Sequence, residues 1–141
     1  MYVPGLDGGK MSKSRANTLN IFDDPKALKK RINKEIVTDA TPLEDPKNPE
    51  ANVVHSLYRL VASEVQADEI ARQLKAGGYG WGHAKKALLV ALVDGFAVER
   101  ARFHELMADK ALIDEALAKG ADKARSVAAD VLVRVRERAG Y

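Results

Sequence analysis

Two lysines and two serines stand close together near the start of the chain, in the run Lys10-Met11-Ser12-Lys13-Ser14. A lysine ammonium is a compact cation with three donors, and a serine hydroxyl can donate a further hydrogen bond, so this run could bind a polyphosphate. Gly8 and Gly9 precede it and favour a mobile loop. A loop that tightens as pyrophosphate departs would stabilise the transition state more than the ground state. From charge and spacing alone, a merely solvated loop is the more common outcome.

Basic charge is concentrated around this run. Residues 1–37 hold eight Lys/Arg against four Asp/Glu, whereas residues 38–141 hold fifteen against sixteen. The whole chain carries a formal net charge of +3. A basic patch of this kind can bind the phosphates of a nucleotide or of RNA, or it can be a solvated surface, and charge alone does not separate these alternatives.

The elements that must position the run are predicted to be helices. Residues 3–20 lack a sustained apolar period and predict a loop. A first helix begins at Pro25, capped by Asp23 or Asp24. Further helices are predicted over about 50–62, 64–75, 83–107 and 110–139, the last with a break at Gly120. No segment predicts a central strand, so the expected fold class is all-α, a bundle of five or six helices with an N-terminal loop extension.

Apolar residues at helical spacing predict the face that each helix buries. Between the first two helices, residues 38–51 contain three prolines and predict an ordered surface connection. The residues expected to face inward are Leu28, Ile32 and Ile36, then Val53, Val54, Leu57, Leu60 and Val61, then Val65, Ile70 and Leu74, and finally Ala124, Val127, Ala128, Val131, Leu132 and Val135.

Composition limits the kinds of site that the chain can carry. The sequence has no cysteine, which excludes disulfides and thiolate metal ligands. The sequence contains no run of 18 apolar residues, which is about the length that a membrane span needs, and no signal peptide is recognised at the start. A cytoplasmic location is therefore expected. His55, His83 and His104 stand alone on predicted helices, where a surface or packing role is expected, and no metal site is predicted.

A second unusual segment is Gly77-Gly78-Tyr79-Gly80-Trp81-Gly82. It matches no phosphate-binding fingerprint and follows no predicted strand, so we interpret it as a glycine-rich helix connection. Trp81 is expected to be a packing anchor, with stacking on an RNA base as the alternative. Four arginines near the C-terminus could line an RNA face or be ordinary helix-surface charges, namely Arg125, Arg134, Arg136 and Arg138.

The literal string KMSKS is the signature of class I aminoacyl-tRNA synthetases, and the flanking segments resemble tryptophanyl-tRNA synthetases specifically. The resemblance covers nearly the whole chain in the family's order. Its main segments are Val3–Gly8, Asn17–Thr18, Ile21–Lys26, Ile36–Glu44 (IVTDATPLE), Gly77–Gly82 (GGYGWG), Gly120–Arg125 and Arg136–Tyr141. Two positions depart from the family's pattern, since Arg15 replaces an acidic or small polar residue and Ala40 replaces a common serine.

The resemblance implies a site and partners. Lys10, Met11, Ser12, Lys13 and Ser14 would bind ATP, and Lys13 would be the catalytic lysine on the leaving phosphates. Residues 1–21 would end a Rossmann-type catalytic domain that is otherwise missing, and residues 22–141 would form a helical anticodon-binding domain. The family uses ATP and Mg²⁺ to activate L-tryptophan and then charges tRNA(Trp).

The resemblance also implies what this chain lacks. The tryptophan pocket and the first ATP motif would lie in the missing domain, so the segment is expected to be inactive alone. The resemblance further implies that the full-length protein is a homodimer.

Two alternatives remain open for the function. The chain could be a stand-alone helical RNA-binding module derived from a synthetase, or a helical interaction scaffold in which the KMSKS string is inert. Salt-sensitive binding of tRNA would favour the former over the latter.

Overall fold

The computed structural model describes residues 3–141 as a succession of helices. The six α-helices are α1 (Pro25–Glu35), α2 (Val53–Val61), α3 (Glu64–Ala76), α4 (Trp81–Gly95), α5 (Ala97–Ala108) and α6 (Lys110–Ala139). Short 3-10 turns cover Lys13–Arg15 and Pro49–Ala51. The described residues form no β-strand, and Pro4 and Lys10 form an isolated antiparallel bridge. The predicted all-α class with five or six helices is confirmed.

Helix α1 begins and packs as its sequence predicts. The Asp24 carboxylate accepts a hydrogen bond from the Lys26 N–H at 2.7 Å, and Pro25 occupies the first turn, where its missing N–H is not needed. Leu28 and Ile32 are fully buried. The predicted apolar stripe of this helix is therefore confirmed.

The chain divides into two compact units, Met1–Arg100 and Ala101–Tyr141. These bounds differ from those of the functional segments 1–21 and 22–141, which stay a prediction. In the first unit, the N-terminal loop and helices α1 to α4 share one hydrophobic core. The buried core residues are Leu6, Ile32, Ile36, Val54, Leu57, Tyr58, Ala67, Ile70, Leu74, Trp81, Ala84, Leu88 and Leu92.

The prediction of inward-facing residues is wrong at two positions, one in α2 and one in α3. Val65 is 80% exposed, and Leu60 is also exposed. Ser63 caps α3 through a capping box with Gln66, so the helix begins where it was predicted, and Ala67, Ile70 and Leu74 form its buried face. At 100° per residue Val65 then lies on the opposite side.

The predicted helix over 83–107 is two helices, α4 and α5, and the expectation of one continuous helix is wrong. The helical path breaks at Phe96, whose backbone adopts φ −115° and ψ 24° and whose side chain packs against the core. Gly95 precedes the break and has a low helix propensity. The buried guanidinium of Arg100 donates to the carbonyls of Leu92 and Val93 at 3.3 and 3.1 Å, which satisfies the last turn of α4.

Helix α6 runs without interruption through Gly120, so the predicted break is wrong. A side chain at Gly120 would meet nothing within 4 Å, and one glycine inside a long helix costs only about 1 kcal/mol. Asp109 caps the helix as predicted, by accepting from the Ala111 N–H at 3.0 Å. The predicted inward face of α6 is exposed, with Val127 at 72%, and no residue of this helix is buried.

The proline-containing connection is ordered around a buried lysine. The Lys47 side chain is 3% exposed, and its ammonium donates to the carbonyls of Pro42, Leu43 and Asp45 at 2.7, 3.0 and 2.8 Å. The backbone N–H of Lys47 donates to the Leu74 carbonyl, which ties the connection to α3. The prediction of an ordered surface connection is confirmed, whereas the burial of Lys47 was not predicted.

Candidate nucleotide-binding site

The loop that carries the KMSKS run starts with a tight turn. The Gly5 N–H donates to the Gly9 carbonyl at 2.7 Å, and the Gly8 N–H donates to the Gly5 carbonyl at 3.0 Å. Gly8 has φ +81°, a conformation that L side chains rarely adopt, so glycine is required there by the turn. The predicted mobility of the loop stays a prediction.

The side chain of Asn17 holds the loop together. Asn17 is 5% exposed, and its carbonyl oxygen accepts from the Ser12 N–H at 2.8 Å. Its amide nitrogen donates to the Lys10 carbonyl at 3.1 Å and to the Asp7 carboxylate at 2.7 Å. A side chain at Gly5 would collide with this amide, so glycine permits the close approach. One buried amide therefore sets the backbone on both sides of Met11.

The five residues of the KMSKS run differ in their exposure and in their contacts. Lys13 and Ser14 lie in the 3-10 turn, and the hydroxyls of Ser12 and Ser14 are hydrogen-bonded to each other at 2.8 Å. Lys10 and Lys13 are exposed, and no ion pair engages either ammonium within residues 3–141. Met11 instead packs against the hydrophobic core. The run thus presents two free cations and two hydroxyls, with the methionine as its anchor.

Two further bonds fix this loop to the helices that follow. The Arg31 guanidinium donates to the Ala16 carbonyl at 3.0 Å, while its ion pair with Glu35 holds it at 2.8 Å. Ala16 is the residue that ends the 3-10 turn, and it has a left-handed φ of +55°. The Val37 N–H donates to the carbonyl of the buried Leu6 at 3.0 Å. The loop is thereby attached to the middle of α1 and to the segment that directly follows its C-terminal end.

Local charge in the loop is arranged around Asp7. The hydrogen bond from Asn17, and after it the one from the Gly9 N–H, hold the pKa of the Asp7 carboxyl below its usual value. Arg15 lies nearby, since a side chain at Gly9 would come within 2.8 Å of its guanidinium. The departure of Arg15 from the family's pattern thus places a cation close to the anionic Asp7.

The glycine-rich segment 77–82 is a structural connection. Trp81 opens α4, is buried, and donates from its indole N–H to the Asp39 carboxylate at 2.9 Å. The hydrogen bonds from Thr41 and then Trp81 lower the pKa of Asp39. Gly77 has φ +81° and contacts the Glu44 carbonyl, where a side chain would not fit. The prediction that Trp81 is a packing anchor is confirmed.

The three histidines have structural surroundings, as predicted. A ring nitrogen of the buried His55 is 3.1 Å from the Ala67 carbonyl. His83 accepts from the Gly80 N–H at 3.3 Å, and the His104 ring lies edge-on to Phe103 at 5.6 Å. Among residues 3–141, no three His, Asp or Glu side chains converge on a possible metal position. No helix in this part of the chain is long and apolar enough to cross a membrane.

Sequence reasoning identified the KMSKS run but missed the residues that hold it. Asp7 and Asn17 stand in segments that resemble the family, but the sequence gives them and Arg31 no structural role, because their partners are fixed only when the loop folds back on itself and on α1. A weak signal existed in Asp7-Gly8, a dipeptide typical of tight turns. Nothing local distinguishes Asn17 from the exposed Asn20 three positions later.

The helical fold and this loop together define a class of protein. The family model described as class I tRNA synthetases (W and Y) matches residues 2–97. The chain belongs to this family.

Within the family, tryptophan–tRNA ligases match this chain over nearly its whole length. That of Rhodopirellula baltica is 44% identical over 138 residues, which are 98% of this chain and 43% of the relative. That of Fusobacterium nucleatum is 39% identical over 138 residues, with shares of 98% and 42%. The resemblance to tryptophanyl-tRNA synthetases is confirmed.

A solved structure agrees with these relatives. The crystal structure of tryptophanyl-tRNA synthetase from Campylobacter jejuni, complexed with ADP and tryptophan, matches the chain with a TM-score of 0.95 at 38% identity. The match covers 100% of this chain and 44% of the solved chain. This chain therefore spans less than half the length of the relatives it matches.

Proposed function

We propose that the chain is the KMSKS-bearing part of a tryptophan–tRNA ligase, in which Lys10, Met11, Ser12, Lys13 and Ser14 bind ATP. The observation that supports this most directly is the display of the run. Lys10 and Lys13 present ammonium groups without ion pairs on a strip whose backbone is set by Asn17. Lysines that served only to solubilise the surface would not need a buried amide to fix their backbone.

The proposed reaction transfers an adenylyl group. A carboxylate oxygen of tryptophan bonds to the α-phosphorus of ATP, the bond from that phosphorus to the bridging oxygen breaks, and pyrophosphate leaves with the electron pair. Negative charge grows on the leaving phosphates, so ammonium groups placed there lower the barrier more than they tighten substrate binding. Lys13 is the proposed catalytic lysine, with Lys10 beside it. Because the Ser12 and Ser14 hydroxyls are hydrogen-bonded to each other, one hydroxyl proton of this pair remains to donate to the phosphates. Met11 would contact the nucleotide through its backbone, because its side chain faces the core.

Magnesium enters this proposal as part of the substrate MgATP. The described residues offer no cluster of carboxylates for the ion. Mg²⁺ commonly binds through substrate phosphates and water, so the phosphate oxygens would supply its ligands from this side.

The remaining assignments follow the family. Residues 1–21 would complete a Rossmann-type catalytic domain that holds L-tryptophan and the first ATP motif, and residues 22–141 would bind the anticodon stem and loop of tRNA(Trp). The full-length enzyme would be a cytoplasmic homodimer. Because this chain spans less than half of its relatives, we expect the 141 residues alone to show no tryptophan-dependent exchange of pyrophosphate into ATP.

The test is pyrophosphate exchange by a full-length ligase containing this chain. Lys13→Ala should lower kcat by about 10²–10³-fold, the range observed when one donor to a developing anion is removed, with little change in the KM for tryptophan. Lys86→Ala is the matched control, since Lys86 is exposed and without an ion pair among the described residues. Equal rates for the two variants would overturn the assignment of Lys13.

The alternative function is a stand-alone helical RNA-binding or interaction module. The RNA-binding module predicts salt-sensitive tRNA binding by the 141 residues, and the interaction module predicts none. Both predict no exchange activity in any longer polypeptide containing these residues.

A further inference from the structure

Helix α1 presents a row of lysines on its outer face. Lys26, Lys30 and Lys34 follow one another at intervals of four residues, and all three are exposed. Each step rises by about 6 Å along the helix, so the row spans about 12 Å. The fully buried Leu28 and Ile32 mark the opposite face.

These lysines have no anionic partners in residues 3–141. The one ion pair on α1 joins Arg31 to Glu35, and Glu35 is the only acidic residue of the helix. Helices α3, α5 and α6 each carry at least one ion pair within the helix, namely Arg72–Glu69, Arg102–Glu105, Lys119–Glu115 and Arg125–Asp122, although Lys86, Lys110 and Lys123 are unpaired among the described residues. Three unpaired lysines at a spacing of four within eleven residues distinguish α1.

The arrangement opposes the stability of the helix itself. Lysines four residues apart repel each other, and a lysine in the first turn faces the positive end of the helix dipole. No acidic residue lies in that first turn, and only the Asp24 cap offsets the charge. A charge pattern that weakens its own helix indicates an external anion that stabilises it.

Hydrogen bonds from other elements hold the backbone of α1 in place. The Lys85 ammonium, from α4, donates to the carbonyls of Asn33 and Ile36 at 3.2 and 2.9 Å and so caps the end of α1. Arg31 ties the helix to the nucleotide-binding loop through the Ala16 carbonyl. The backbone beneath the lysines is therefore held while their ammonium groups stay free.

We propose that the outer face of α1 binds the phosphate backbone of the tRNA through Lys26, Lys30 and Lys34. This proposal rests on the proposed function, which makes a tRNA the polyanion. A row about 12 Å long exceeds a single phosphate and suits successive phosphates of one strand, which lysine binds as a point charge. The face has no large apolar residue, because Ala27 and Asn33 are its other members, so it lacks the apolar centre typical of a protein interface.

The experiment measures binding of a fluorescent tRNA(Trp) transcript to the 141-residue chain between 50 and 300 mM KCl. Phosphate contacts give a linear fall of log K with log salt, with a slope of about 0.7–0.9 per contact. The variant Lys26→Gln/Lys30→Gln/Lys34→Gln should flatten the slope by about 2–3 and weaken binding at low salt by about tenfold or more. The corresponding triple arginine variant should restore the slope.

The control removes equal charge elsewhere, through Lys86→Gln/Lys110→Gln/Lys123→Gln. These lysines are also exposed and unpaired in the described chain. Circular dichroism of both variants must show the parent's helix content. An equal loss of slope in the control, or an unchanged slope in the α1 variant, would overturn the proposal, as would binding of an acidic peptide in preference to the transcript.

Failure of this proposal is distinguishable from failure of the proposed function. Pyrophosphate exchange by the full-length ligase needs no tRNA, so the α1 variant should leave that rate unchanged. Suppose that Lys13→Ala lowers the exchange rate while the α1 variant leaves the salt dependence of tRNA binding unchanged. That result would refute the proposed role of the α1 lysines and leave the proposed function intact.

Discussion

Truncation of Asn17 to alanine removes the amide that sets the KMSKS loop. Two of its bonds are to backbone groups, the Lys10 carbonyl at 3.1 Å and the Ser12 N–H at 2.8 Å. Each such bond contributes about 0.5–1.5 kcal/mol, so their loss should lower the free energy of unfolding by about 1–3 kcal/mol. The bond to Asp7 is left out of this figure, because that carboxylate is exposed and water replaces its lost donor.

Urea unfolding followed by tryptophan fluorescence measures this change. Trp81 is the only tryptophan, is buried, and lies in the same compact unit as the loop. Asn20→Ala is the control, since the exposed Asn20 bonds only to its neighbours Phe22 and Asp23, and it should change stability by less than about 0.5 kcal/mol. A change for Asn17→Ala no greater than that of the control would show that the loop opens independently of the core and refute the reasoning.

Three further predictions concern the helical part. Asp39→Asn removes a carboxylate whose folded pKa is lowered by the bonds from Thr41 and Trp81, so the wild type should be the more stable at pH 7 by less than about 1 kcal/mol. That advantage should be complete above the unfolded pKa, whose ordinary value is 3.8, and should be lost as the pH falls through the lower folded pKa, whereas an advantage that grew on acidification would contradict it. Arg100→Met leaves the last carbonyls of α4 without donors and should cost about 2–4 kcal/mol in the same urea assay, against no change for the exposed Glu99→Gln. Gly120→Ala should stabilise α6 by about 0.5–1 kcal/mol, seen as a higher melting temperature in circular dichroism, and a lower one would show a contact at that glycine.

Much of the fold could be predicted because its signals are local. The cap at Asp24, the proline in the first turn and the stripe of Leu28 and Ile32 all lie within three turns of one helix. The errors arose where a local pattern was compatible with more than one outcome. Val65 is predicted to lie on the buried face because it is apolar, but it lies five positions from Ile70, which is about 140° around the helix, and Ala67 occupies that face instead.

The site shows the same division. The KMSKS run is visible as a string, because the chemistry proposed for it needs those residue types side by side. Its supports are not visible, because Asn17 acts on residues that are close only when the loop has folded. The row of lysines on α1 is readable at a spacing of four, whereas its lack of carboxylate partners is known only from the packed structure.

By itself, the sequence determined the helical class, the start of most helices and the position of the KMSKS run, since hydrophobic period and capping act over a few residues. Only the tertiary structure decided which long-range pairs hold these parts in place. Trp81 reaches Asp39 across 42 positions, and Arg100 reaches the Ile21 carbonyl across 79. A hydrogen bond depends on distance and angle to within fractions of an ångström, and no local propensity specifies two groups that far apart in the chain.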